Sequence, residues 1–185
     1  MGGQFCRASR AARRVCVGPV KGEKMDIYGF AIEIEKEGEA YYSKLAANAE
    51  NKGLRSIFTW LAGEEAKHRK IIDALRKDMA PSVAATTILS DAKTVFEKMK
   101  EAQPPFHFDN IEVEMYKKAR QLEKNSKDFY TEKANQAESA MCSVVFLKIA
   151  GEEDKHIVLL DTIINFVNRP HEYLENAEFV HLDEY

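Results

Sequence analysis

Residues 64–68 read Glu64-Glu65-Ala66-Lys67-His68, and residues 152–156 read Glu152-Glu153-Asp154-Lys155-His156. The same 88-residue offset relates Glu35-Lys36 to Glu123-Lys124 and Tyr42 to Tyr130. Residues 31–75 therefore lie on residues 119–163 without a gap, and 15 of 45 positions are identical, among them Ala46/Ala134 and Phe58/Phe146. A carboxylate on one helix followed by Glu-x-x-His on the next, given twice in one register, is the ligand pattern of a dinuclear metal site in a four-helix bundle.

Working outward, apolar residues at helical spacing (Ile27, Ala31, Ile34, Leu45) predict a helix over 26–50 with Asp26 as its N-cap. Asn51-Lys52-Gly53 makes a turn, and a second helix is expected over 54–78. So short a connection makes the two an antiparallel hairpin. The repeat predicts a second hairpin, from helices over 110–137, capped by Asp109 or Asn110, and over 140–168. Between them, Pro81, Ala84-Ala85-Thr86-Thr87 and Pro104-Pro105 mark a connection over 79–109. Within it a short helix is expected from Ser90, its cap, to about 101. Such a connection is long enough to carry the chain from one end of the bundle to the other. The fold class is all-α: a four-helix bundle of two helix-hairpin repeats joined by a long crossover.

In Glu65-x-x-His68 the two side chains rise on one helix face about a turn apart, as do Glu153 and His156. Those faces also carry Leu61 and Ile72, or Ile149 and Leu160, so the four groups point into an apolar core. Carboxylates buried together are costly unless cations neutralise them. Two metal ions would do so, with Glu65 and Glu153 bridging, Glu35 and Glu123 binding one ion each, and His68 and His156 each giving a nitrogen. Oxygen and nitrogen donors without sulfur suit two iron ions, with manganese or a mixed pair as the alternative.

Other residues are read more plainly. Tyr42 and Tyr130 are either core tyrosines or hydroxyls that orient a carboxylate or take part in the oxidant chemistry as catalytic residues. Glu64 and Glu152 point about 100° away from the ligand Glu beside them and are expected to face solvent. Trp60 reads as packing or interface, Cys142 as a small buried hydrophobe, and His107 and His171 have no visible partners. A third Glu-x-x-His, Glu178 to His181, lacks a repeat mate and reads as surface chemistry.

The chain of 185 residues suits one such domain. Its net charge of −3 is uneven: residues 1–24 carry six Lys/Arg against one acid, so +5 there leaves −8 on residues 25–185. An acidic bundle argues against nucleic acid as a partner. No apolar run is long enough for a membrane span. Residues 1–24 read as a basic extension upstream of a start at Met25, with an organelle-targeting peptide as the competing reading. Residues 169–185 form a mixed apolar and acidic tail. Cys6, Cys16 and Cys142 include no Cys-x-x-Cys, which excludes a zinc ribbon or rubredoxin-type centre within these residues. A reducing, cytoplasmic setting is the default.

The combination Ala31-x3-Glu35-x6-Tyr42 with Glu65-x-x-His68, and its copy at Glu123, Tyr130, Glu153 and His156, resembles the rubrerythrin branch of the ferritin-like superfamily over nearly all of 25–168. The resemblance implies a non-haem di-iron bundle that reduces hydrogen peroxide or dioxygen in oxidative-stress defence, or that oxidises or buffers iron. It implies an external rubredoxin-like or flavin electron donor, since a cysteine iron module is missing from these residues. Typical members also place an additional Glu one turn before the third-helix ligand, where this chain has Arg120, so a more symmetric site of four carboxylates and two histidines is expected. A regulatory module whose metal site only stabilises the bundle is the competing class. The expected assembly is a homodimer, and the long connection also permits the hairpins to swap between two chains.

Overall fold

The computed structural model describes residues 26–102, 108 and 110–168. Five helices follow one another: α1 (Ile27–Asn48), α2 (Lys52–Arg76), α3 (Ile88–Ala102), α4 (Asn110–Gln136) and α5 (Ala140–Asn168). Helices α1 and α2 form one antiparallel hairpin and α4 and α5 the other, and the two hairpins of this one chain pair with each other. The all-α architecture expected from the repeat is the one observed. The basic segment 1–24, the tail with Glu178 and His181, and His107 and His171 lie outside the described residues, as does Asp109.

Local chemistry sets the boundaries. Asp26 caps α1 by accepting from the Gly29 N–H at 2.6 Å. Asn51 caps α2 by accepting from the Gly53 and Leu54 N–H groups at 2.8 and 3.0 Å, so α2 begins two residues before the expected start. It ends at Arg76, and Asp78 follows with φ at 56°, a left-handed conformation that aspartate tolerates better than most residues. Helix α3 also starts early. Thr86 Oγ1 accepts from the Ile88 N–H at 3.2 Å, while Ser90, expected as the cap, lies in the first turn and donates to the Thr87 carbonyl.

The apolar core is divided in two. One cluster joins the C-terminal part of α1, the N-terminal parts of α2 and α4, α3, and the C-terminal part of α5, with Leu45, Phe58, Phe96, Tyr116 and Phe166 at its centre. The other joins the opposite helix ends through Ile27, Ile72, Tyr130, Cys142 and Phe146. The chain leaves α2 at the second cluster, passes Glu152 of α5 at Thr86, and joins the first cluster through α3. Between the clusters lies a layer of buried polar side chains: Glu35, Glu65, His68, Glu123, Ser126, Glu153 and His156. Burying so much polarity in the middle of a core needs a compensating partner.

Candidate metal centre

Each helix of the bundle delivers its polar groups from the face that carries its core residues. On α1, Glu35 follows Ala31 by one turn; on α4, Glu123 follows Ala119 likewise; all four residues are buried. On α2 and α5 the three-residue spacing sets Glu65 beside His68 and Glu153 beside His156. The structure brings all six sequence-predicted residues together, each at most 3% exposed.

They form two overlapping groups of four. Glu35, Glu65, His68 and Glu153 offer ligand atoms within 4.8 Å of one another, and so do Glu65, Glu123, Glu153 and His156. Glu65 and Glu153 belong to both groups. The two imidazoles stack with centroids 5.8 Å apart. His68 Nδ1 lies 3.5 Å from Glu35 and 3.3 Å from Glu153, and His156 Nδ1 lies 3.2 Å from Glu153, 3.4 Å from Glu65 and 3.6 Å from Glu123.

Several of these atoms lie near a neighbour without being hydrogen-bonded to it. Glu35 Oε2, Glu65 Oε1, both His68 nitrogens and His156 Nε2 are buried and make no hydrogen bond. Such atoms each cost about 1–3 kcal/mol when left unsatisfied. Orphaned carboxylate oxygens and imidazole nitrogens converging on one point fit a cation-binding role. The donor set, four carboxylates and two imidazoles, suits hard to borderline metals.

The electrostatics of the protein chain alone agree. Burial, and then the Glu153 charge beside it, pushes the Glu123 carboxyl up to about 8. Burial and the charges of Glu153, Glu123 and Glu35 hold Glu65 well above the ordinary carboxylate range. Burial works against the charged form of both histidines, but Glu153 raises His68 and Glu123 raises His156 well above the usual value. Glu153 goes the other way: burial opposes its charge, yet His68 and His156 hold it well below the usual range. A layer that must trap protons to tolerate its own charge is one that cations would relieve.

Tyr42 and Tyr130 are both buried, and each reaches a carboxylate. The Tyr42 hydroxyl donates to Glu123 and the Tyr130 hydroxyl to Glu35. Each therefore serves the carboxylate of the other hairpin. Burial raises both phenols well above their ordinary value, and the accepting carboxylates raise them further, so both stay protonated donors.

Two sequence expectations need revision. Glu152 does not face solvent: it is buried, accepts the Thr86 N–H at 2.9 Å, and pairs with Lys155 at 3.2 Å. The 79–87 segment lies over that face of α5. Its mate Glu64 is also mostly covered, with its side chain 13% exposed and paired to Lys67 at 2.6 Å. Arg120 faces away from the centre and pairs with Asp161 at 2.5 Å. Trp60 is 37% exposed and Cys142 fully buried. Ser126 was missed by sequence reasoning; it donates to Glu153 at 3.1 Å from one turn beyond Glu123. Its identity as a buried polar residue on the ligand face of α4 was the available signal.

Fold and site together define an all-α ferritin-like bundle with a buried carboxylate–histidine cluster suited to metal. The rubrerythrin family model matches residues 26–164, and the chain belongs to that family. Comparisons with curated proteins and with solved structures gave no match. No described helix is long and apolar enough to cross a membrane.

Proposed function

We propose that the chain is a non-haem di-iron oxidoreductase that reduces hydrogen peroxide with electrons from an external rubredoxin-like or flavin donor. The observation that carries this reading is the pair of overlapping four-residue groups sharing Glu65 and Glu153. Glu35, Glu65, His68 and Glu153 would hold one iron, and Glu65, Glu123, Glu153 and His156 the other. The metal pair, when bound, supplies Lewis acidity and two electrons, enough to convert one peroxide and two protons into two waters.

The chain's own residues do the rest. Tyr42 and Tyr130 fix the orientation of Glu123 and Glu35 through buried hydrogen bonds. Ser126 fixes Glu153. The two apolar clusters close the layer at its two ends, so that the carboxylates and imidazoles are held against an apolar surround. Dioxygen is the alternative oxidant, manganese or a mixed pair the alternative metal, and the cytoplasm the proposed setting.

The test is metal content and peroxide reactivity of protein prepared without oxygen and loaded with ferrous iron, beside a Glu65→Ala/Glu153→Ala double variant. The expected result is about two irons per chain, oxidised by one peroxide, and none held by the variant. One iron or fewer, or equal binding by the variant, would overturn the reading. Uptake far beyond two irons per chain would point to iron storage.

A further inference from the structure

Helices α1 and α4 leave between them a cavity of about 340 Å³ that opens to solvent. Its walls are apolar: Phe30 and Ile34 from α1, Leu122 and Phe129 from α4. The Phe30 and Phe129 rings meet with centroids 5.3 Å apart. The exposed Glu37 and Asn125 stand at the mouth, and the buried Tyr42, Glu65 and Glu123 form the inner end. The cavity thus leads from solvent to the metal-binding carboxylates.

The space is larger than a two-oxygen oxidant requires. A water's share of liquid volume is about 30 Å³, so the cavity has room for on the order of ten waters. An apolar cavity of about 150 Å³ already accepts benzene. Walls of Phe, Ile and Leu are a poor environment for water and a good one for a hydrocarbon group.

The inner end is also unequal in a way that the repeat makes visible. Ile34 and Leu122 are repeat mates, as are Glu37 and Asn125, and Gly38 and Ser126, and all six line the cavity. It therefore straddles the axis relating the two hairpins. Yet Glu65 lines it and the equivalent Glu153 does not. At Gly38 a Cβ would fall 2.9 Å from Glu65 Oε2, so the missing side chain is what leaves that carboxylate uncovered. At the mate position the Ser126 hydroxyl occupies the space and binds Glu153. A molecule in the cavity meets Glu65 and Glu123, with its polar end at these carboxylates and the Tyr42 hydroxyl.

We propose that this cavity binds organic hydroperoxides whose apolar group is about the size of a benzene ring, and that these are substrates of the centre. The inference rests on the peroxidase reading above. The alkyl or aryl group lies between Ile34, Leu122 and the two phenylalanines, and the hydroperoxide points at Glu65 and Glu123. The reaction cleaves the O–O bond: ROOH takes two protons and two electrons and leaves as the alcohol ROH and one water. The electrons come from the reduced metal pair and are restored by the external donor.

The test uses cumene hydroperoxide and its inert alcohol product, cumyl alcohol, with Ile34→Trp, and independently Leu122→Trp, to fill the cavity. In the metal-free wild-type chain, cumyl alcohol is expected to shift the methyl resonances of Ile34 and Leu122, and in Ile34→Trp to leave Leu122 unmoved. In iron-loaded protein, the ratio of kcat/KM for cumene hydroperoxide over hydrogen peroxide is expected to exceed one and to fall at least tenfold in either variant, a loss of about 1.4 kcal/mol in discrimination. A ratio that the variants do not change overturns the proposal. So does turnover of hydrogen peroxide with the wild-type methyls unmoved by the alcohol, and that result leaves the peroxidase reading standing. Turnover of neither peroxide, with the methyls still shifted, overturns the peroxidase reading itself.

Discussion

Replacing Glu123 with glutamine is expected to make the metal-free protein more stable, and by an amount that grows with pH. In the metal-free fold the Glu123 carboxyl is pushed from 4.5 up to about 8, first by burial and then by the Glu153 charge. The folded state therefore holds a proton that the unfolded chain gives up between those values. Such a group destabilises the fold increasingly as pH rises through that window. At about 1.4 kcal/mol per pKa unit the cost is under about 1 kcal/mol at pH 5 and about 3 kcal/mol at pH 7. Glutamine removes the proton equilibrium but keeps an oxygen to accept from Tyr42. For a domain of this size 1 kcal/mol moves Tm by about 2–4 °C, so the variant should melt a few degrees higher at most at pH 5 and about 6–12 °C higher at pH 7. Scanning calorimetry of both chains in chelator at the two pH values measures this. With ferrous iron added, the order should reverse, because the variant has lost a negatively charged ligand. A metal-free variant less stable than its parent, or a difference independent of pH, would refute the account of the cluster as mutually destabilising carboxylates.

Tyr130→Phe and Tyr42→Phe each leave a buried carboxylate without its donor, and each should cost about 1–3 kcal/mol in urea unfolding of the metal-free protein; no loss would mean that the bonds to Glu35 and Glu123 carry no weight. Glu152→Ala should release the Thr86 N–H, seen as faster hydrogen exchange at Thr86 and Ile88, with a fall of about 1 kcal/mol in global stability. Phe146→Ala, in a fully buried site packed on Tyr130, should cost about 3–5 kcal/mol by cavity formation, read from the urea midpoint. Gly38→Ala should lower iron affinity, measured by competition with a chelator, since the new Cβ falls against the Glu65 carboxylate; unchanged affinity would show that Glu65 has slack to spare.

Much of this molecule is legible in one dimension because helical geometry is local. The three-residue spacing of Glu65 to His68 and Glu153 to His156 fixes them on a single face whatever the rest of the chain does. The 88-residue register then requires two equivalent hairpins whose charged faces can be buried only against each other. So the bundle, the turn at Asn51 and the six convergent side chains were all determined by the sequence.

Contacts between segments distant in sequence were decided by the tertiary structure. Tyr42 lies two turns from Glu35 on its own helix, too far to reach it, and finds its acceptor on Glu123 across the bundle. Glu152 looks solvent-facing by its helical angle and is buried because the crossover passes over it. The cavity between α1 and α4, and the opposite use of Gly38 and Ser126 at one repeat position, exist only once the hairpins dock. Spacing along a helix says which groups share a face; only packing says what that face meets.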